Sequence, residues 1–130
     1  MTITKQSGRQ EILAANVDIT LAMLTAGSAL PAVELPGNAV VIGGGVAVVT
    51  AFNSTSTDTI AILGPSSEAL LAPANIHATG WRPLTPTGAK SVAQGNVTAN
   101  WASGGGSPST GLLRLTVLYI VDGRSEISQG

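Results

Sequence analysis

Few residues in this sequence of 130 could carry out catalysis. It contains no cysteine, which excludes thiol nucleophiles and thiolate metal sites, and its only histidine is His77. Serines are numerous, but none lies in a G-x-S-x-G turn, which presents the nucleophile of many hydrolases. We therefore interpret His77 as a loop histidine that bonds to nearby backbone, and not as a general base.

The carboxylates offer no recognisable site either. They form no D-x-D cluster suited to calcium, and a cupin-type metal site would need several histidines. A glycosidase-like pair could still meet in the folded chain, although no spacing singles one out. We expect all seven to be solvated surface groups. The seven are Glu11, Asp18, Glu34, Asp58, Glu68, Asp122 and Glu126. The sequence thus predicts no metal, no cofactor and no enzymatic activity.

Two other features resemble binding motifs. Trp81 and Trp101 could stack on sugar rings, which leaves a carbohydrate- or receptor-binding module open as an alternative function. We expect these tryptophans to pack in the core or in an interface instead. The glycines Gly43–Gly45 match no phosphate-binding motif, and valines rather than a helix start follow them. They predict a bulge or bend within a strand.

Composition and charge exclude further classes of function. Six Lys and Arg against seven Asp and Glu give a net charge of -1, which offers no cationic excess to nucleic acid. Hydrophobic residues make up 44% of the chain, which argues against intrinsic disorder. Only 10% of the residues are charged, and so little charge weakens the repulsion between copies. We therefore expect a folded protein that works in an assembly.

No membrane-spanning or export segment is expected. The apolar run Ala39–Val49 is about half as long as the ~20 residues of a membrane-spanning helix, and it contains three glycines. Near the N-terminus, Lys5 and Arg9 precede an apolar stretch that looks like a signal peptide, but Glu11 and Asp18 interrupt it. The sequence predicts a soluble protein without a membrane partner.

The chain organisation follows from its turn residues and apolar spacing. Residues 1–8 are polar and lack a packing period, so we expect an extended arm, with residues 9–130 forming a single domain. Between Arg9 and Leu24 the apolar spacing fits either a helix face or strands, and we favour strands. Short helical turns are expected over Glu68–Leu71 and over Pro73–His77.

Seven further segments are predicted as strands, because each is bounded by Gly, Pro, Ser or Asn. They are Ala32–Leu35, Ala39–Phe52, Asp58–Leu63, Trp81–Leu84, Lys90–Ala93, Asn96–Ala102 and Leu112–Val121. The turn residues between Phe52 and Asp58 predict that the strands on either side form a hairpin. About eight short strands indicate an all-β fold, an antiparallel β-sandwich that is jelly-roll-like.

The last strand carries apolar residues on both of its faces. Leu113, Leu115 and Val117 share one side, whereas Leu118 and Ile120 lie on the other, after Arg114 and Thr116. An outer face that ends apolar predicts a second buried surface, such as a contact between subunits.

Long stretches of the sequence resemble one family of virus proteins. The segment Gly8–Gly64, with PGNAVV at Pro36–Val41 and TAFNS at Thr50–Ser54, resembles small proteins encoded beside the major capsid protein of tailed bacteriophages. The closing LRLTVLYIVDGRSE, Leu113–Glu126, is similar to the end of the same proteins. These motifs are structural and bring no catalytic residues with them.

The resemblance implies a capsid decoration (cement) protein with a jelly-roll fold. Such a protein would clamp neighbouring major capsid subunits on the outer surface of the virion, after synthesis in the host cytoplasm. Its partners would be the major capsid protein and further copies of itself, as a homodimer or homotrimer. The alternative from the residues alone is a receptor- or carbohydrate-binding module of a phage head or tail fibre. The candidate capsid or subunit contacts are Thr2, Ile3, Thr4, Lys5, Arg9, Leu118 and Ile120.

Overall fold

Most of the described chain is in β-strands. The computed structural model describes residues 12–25, 27–105 and 108–121. Its strands are β1 (Leu13–Thr20), β2 (Ala29–Leu35), β3 (Ala39–Thr50), β4 (Asp58–Leu63), β5 (Ala69–Asn75), β6 (Gly80–Pro83), β7 (Lys90–Ser91), β8 (Gly95–Ser103) and β9 (Leu112–Val121). A single 3₁₀ turn, Leu21–Met23, is the helical element of these residues.

The strands form two antiparallel sheets. The five-stranded sheet has the order β1-β9-β3-β6, and β7 pairs with β3 beside β6. The four-stranded sheet has the order β2-β8-β4-β5. Strands adjacent in sequence are therefore mostly not neighbours within a sheet, as in a jelly roll. The predicted fold class, an antiparallel β-sandwich that is jelly-roll-like, is confirmed.

The hydrophobic core lies between the two sheets. In β9, Leu113, Leu115 and Val117 point inward and are fully buried, as the two-residue alternation of the sequence predicts. Ile60 and Ile62 of β4 meet them from the four-stranded sheet. Apolar burial of this kind contributes roughly 25 cal/mol for each Å² removed from water, so these layers supply most of the driving force for folding.

Several predicted strands match the structure closely. The bounds of β4 and β9 are those expected from the sequence. The predicted bulge in the glycine run is also present, because the register of β3 against β9 shifts between Val41 and Gly43. Between Arg9 and Leu24, the described residues form β1 followed by the 3₁₀ turn, so the preference for strands holds up to Thr20.

The predicted hairpin of β3 and β4 is wrong. These strands lie in different sheets, because the segment between them crosses from one layer of the sandwich to the other. Phe52 in that segment is buried, and its amide donates to the carbonyl of Ile76. Burying this ring between the layers fixes the crossing in place of a tight turn.

The helical turns predicted near Glu68 and Pro73 are also wrong, since β5 covers Ala69–Asn75. Ser67 adopts a left-handed conformation with φ 63°, and its amide donates to the carbonyl of Gly64. This tight turn reverses the chain, so the residues after it pair with β4 instead of coiling. Among the described residues, no helix is long and apolar enough to cross a membrane.

Candidate functional site

The single histidine belongs to a polar cluster at one end of the four-stranded sheet. His77 Nε2 lies 2.7 Å from Asp58 Oδ2 and 3.3 Å from Ser54 Oγ. The indole Nε1 of Trp101 donates to Asp58 Oδ1 at 3.1 Å, and the Ser54 amide donates to Asp58 Oδ2 at 3.2 Å. We call Ser54, Asp58, His77 and Trp101 the Asp58 cluster. It ties the first residue of β4 to β8 and to the segments that precede β4 and follow β5.

The Asp58 cluster contains the residue types of a serine hydrolase triad, but its geometry differs. In a triad, one imidazole nitrogen bonds the acid and the other bonds the serine. Here the same nitrogen, His77 Nε2, lies near both Asp58 and Ser54. A proton taken from Ser54 would therefore have no separate nitrogen to occupy. The arrangement favours a structural link over a nucleophile with its base.

The environment of Asp58 corrects two predictions. Its side chain is 0% exposed, whereas all seven acids were expected to be solvated. His77 bonds through its ring to this carboxylate and not to nearby backbone, while its own amide donates to Asn75 Oδ1 at 2.8 Å. Burial by itself would raise the pKa of Asp58, but hydrogen bonds from Ser54, His77 and Trp101 together hold that pKa below its usual value.

A signal for this burial exists in the sequence. In β4, Asp58 stands two and four residues before the fully buried Ile60 and Ile62, so alternation puts all three side chains on the core face. A buried carboxylate requires donors, and the chain supplies them from distant positions. In the described part of the chain, no three His, Asp or Glu side chains are grouped so that they could hold a metal ion.

A second candidate site is the outer face of the five-stranded sheet. Three of the large exposed apolar side chains project from it: Ile42 is 41% exposed, Val49 42% and Trp81 53%. Strand register places Leu118 and Ile120 on the same face, where both are half-buried. We call these five residues the apolar outer face. Two of them, Leu118 and Ile120, were predicted as contact residues. Ile42 and Val49 were not singled out, because the sequence assigned no faces to their strand, and Trp81 was expected in the core or in an interface.

The Trp81 ring lies close to the backbone of β3 because Gly45 has no side chain. A Cβ atom at Gly45 would lie 2.3 Å from Cζ2 of the Trp81 ring, so only glycine lets the indole rest against β3. Arg82 next to it is held by bonds to the carbonyls of Asn75 and Ala78. Neither β3 nor β6 contains a carboxylate that could bond to a sugar stacked on Trp81.

The two sheets differ in the character of their outer faces. The outer face of the four-stranded sheet is mostly small or polar, with Glu34, Asn96 and Ala102 exposed and Leu63 half-buried. On the five-stranded sheet, the charged side chains of β1 and β9 pair with each other, since Arg114 Nε donates to Asp18 Oδ1 at 2.9 Å. The charges beside the apolar outer face therefore balance each other. An apolar surface with balanced charges at its side is suited to contact with another protein.

Five of the predicted contact residues lie near the N-terminus. Thr2, Ile3, Thr4, Lys5 and Arg9 lie outside the described residues, so the division into an arm at 1–8 and a domain at 9–130 stays a prediction. Trp101 is buried and bonded to Asp58, and its ring packs 6.0 Å from that of Phe52, which removes it as a sugar-stacking residue.

Comparison with solved structures places this fold among those of phage capsids. A chain in the "acidic stable capsid structure of Helicobacter pylori bacteriophage KHP30" superposes with a TM-score of 0.65 at 17% identity, covering 85% of this chain and 87% of that one. A chain from the "capsid of Ralstonia phage GP4" gives 0.63 at 24% identity, covering 93% and 90%. One from the "cyanophage Pam1 capsid asymmetric unit" gives 0.54 at 21%, covering 93% and 91%. No family model and no curated protein matches the sequence.

Proposed function

We propose that this chain is a structural protein of a tailed-phage virion, which decorates the outer capsid surface and clamps neighbouring major capsid subunits. The observation that carries the proposal is the fold shared along nearly the full length of chains in three phage capsid structures. The alignments cover more than four-fifths of the chains on both sides, so the likeness extends over most of the sandwich and not only a common fragment.

The site geometry supports a mechanical role. The polar residues that resemble a triad share one imidazole nitrogen and form a link within the fold. The apolar outer face offers exposed apolar side chains to a neighbour, and the charged side chains of Asp18 and Arg114 beside it pair with each other. A protein repeated over a capsid lattice needs only modest affinity per copy, because many contacts act together. We expect the outer face to bind the major capsid protein.

The proposal is tested first on virus particles. Particles of the virus that encodes this chain are purified and analysed by gel electrophoresis and mass spectrometry. We expect the chain in mature particles, in many copies per particle. Its absence from them would contradict the proposal.

A pair of variants then tests the surface. Ile42→Lys places a charge on the apolar outer face, whereas Ala102→Lys places the same charge at an exposed position on the opposite sheet. We expect Ile42→Lys to reduce the number of copies bound per particle and Ala102→Lys to leave it unchanged. Equal binding by both variants would exclude this face as the capsid contact. Deleting residues 1–8 tests the arm in the same assay, with weakened attachment of a folded domain as the expected result.

A further inference from the structure

The two sheets have four edges, and these edges are not equivalent. In the four-stranded sheet, the edge strands β2 and β5 contain Pro31 and Pro73. In the five-stranded sheet, the edge beside β3 is formed by β6, which contains Pro83, and by β7, which is only 2 residues long. Proline lacks an amide hydrogen, so each removes a donor where a further strand would have to pair. The pairing of β2 and of β5 also contains register shifts. These three edges carry the features by which proteins prevent pairing with another strand.

The fourth edge strand, β1, lacks these features. Its eight residues, LAANVDIT, contain no proline, and they pair with β9 without a register shift from Leu13–Tyr119 to Thr20–Leu112. Among the described residues, β1 pairs only with β9. One side of its backbone is therefore open to pairing within this part of the structure. Its single charged residue, Asp18, is neutralised by Arg114 on β9.

We propose that β1 is a self-association edge, at which β1 of one copy pairs antiparallel with β1 of a second copy. A second copy is the occupant because pairing with a strand requires an unblocked strand on the partner. On an identical chain, the other three edges carry proline, so the matching edge is β1 itself. A contact between the same surface on both copies has two-fold symmetry, which makes the two strands antiparallel. This contact goes beyond capsid binding and refines the self-association of the proposed function.

The sequence of β1 selects the register of this pairing. Side chains of the same face must lie opposite each other, so the two-fold axis passes beside one residue. An axis at Asn16 pairs Leu13 with Ile19 of the second copy on the core side and Ala14 with Asp18 on the outer side. It uses nearly the whole strand and provides about six backbone hydrogen bonds, since alternate residues of β1 bond to β9. An axis at Asp18 would place two carboxylates opposite each other, which is unfavourable.

The test uses single cysteines, because the natural chain contains none. Asn16→Cys introduces an exposed thiol at the axis, where opposed Cα atoms lie ~4.5–5.5 Å apart, within the ~4.4–6.8 Å that a disulfide spans. Ala29→Cys places an equally exposed thiol on the edge strand β2. With oxidised glutathione, we expect Asn16→Cys to form a covalent dimer and Ala29→Cys to remain mostly monomeric. Unmodified protein should be a dimer by light scattering after size-exclusion chromatography.

A charge variant measures the same contact without a covalent bond. Asn16→Asp puts two like charges about 4–5 Å apart across the axis, and in water this weakens the dimer by about fivefold. A monomeric unmodified protein, or equal cross-linking of the two cysteine variants, would overturn the proposal. A trimer, or dimers unaffected by Asn16→Asp, would overturn it too. These results are independent of whether the chain is found in capsids, so this inference and the proposed function can fail separately.

Discussion

Replacing Asp58 by asparagine tests the structural role of the Asp58 cluster. In the buried carboxylate, Oδ1 accepts a hydrogen bond from Trp101 Nε1. Oδ2 accepts one from the Ser54 amide and is bonded to the His77 ring. An amide has the same shape but only one acceptor oxygen. Whichever way it turns, its NH₂ group faces a buried donor, either the indole of Trp101 or the amide of Ser54. The variant therefore leaves at least one buried donor without an acceptor.

The magnitude follows from the burial of these groups. An unpaired buried donor costs about 1–3 kcal/mol, and a hydrogen bond to a charged group contributes about 1.5–3 kcal/mol. Since these effects overlap, we expect Asp58→Asn to lower the free energy of unfolding by about 2–4 kcal/mol. For a domain of this size, such a loss lowers Tm by roughly 10 °C.

The assay is urea unfolding followed by tryptophan fluorescence, at fixed protein concentration because self-association adds to stability. Asp18→Asn is the matched control, since Asp18 is 53% exposed and its pair with Arg114 is a surface one. We expect the control to change the free energy of unfolding by less than about 1 kcal/mol. If Asp58→Asn is no more destabilising than Asp18→Asn, the cluster does not hold the segments together and the reasoning is wrong.

Two further predictions concern acid and the glycine run. The pKa of Asp58 is lowered from its ordinary 3.8 in the folded state, so its stabilising contribution is complete above that pH and is lost as the pH falls through the folded value. In urea unfolding, the difference between unmodified protein and Asp58→Asn should thus shrink below about pH 4; a constant difference would contradict the assigned role. Gly45→Ala should displace the Trp81 ring, shift its fluorescence and cost about 1–3 kcal/mol, because the new Cβ would also lie 2.8 Å from the Arg82 carbonyl. Gly43→Ala is its control, since there the nearest atom is 3.6 Å away, and equal effects would show that Trp81 does not depend on Gly45.

Local patterns predicted the strands whose residues alternate strictly. β4 and β9 have two-residue alternation of apolar side chains over most of their length, and their bounds were correct. β5 was misassigned, since the apolar pair Leu70 and Leu71 interrupts the alternation and a serine before it resembles a helix cap. Pairing with β4 across a tight turn decides its conformation, and no local signal reports that pairing.

In the candidate sites too, some positions follow from the local sequence and others depend on which strands pair. Leu118 and Ile120 were assigned correctly to the outer face, because the sequence of one strand contains both of its faces. Trp81 was not assigned to the apolar outer face, because its position depends on β6 lying beside the glycines of β3. Asp58 was assigned to the surface although alternation in β4 pointed inward, because its donors come from residues up to 43 positions away.

The sequence by itself determined the class of fold and showed that few residues could act in catalysis or metal binding. The two-residue alternation of the strands and the turn residues are local features, and the counts of one histidine and no cysteine are compositional. None of these depends on which strands pair with each other. Only the tertiary structure decided which strands are neighbours, that β3 and β4 lie in different layers, and which edge strand is unblocked. The physical reason is that sheet hydrogen bonds join residues far apart in sequence. The partner of a strand is therefore chosen by packing of the whole sandwich, and not by the strand itself.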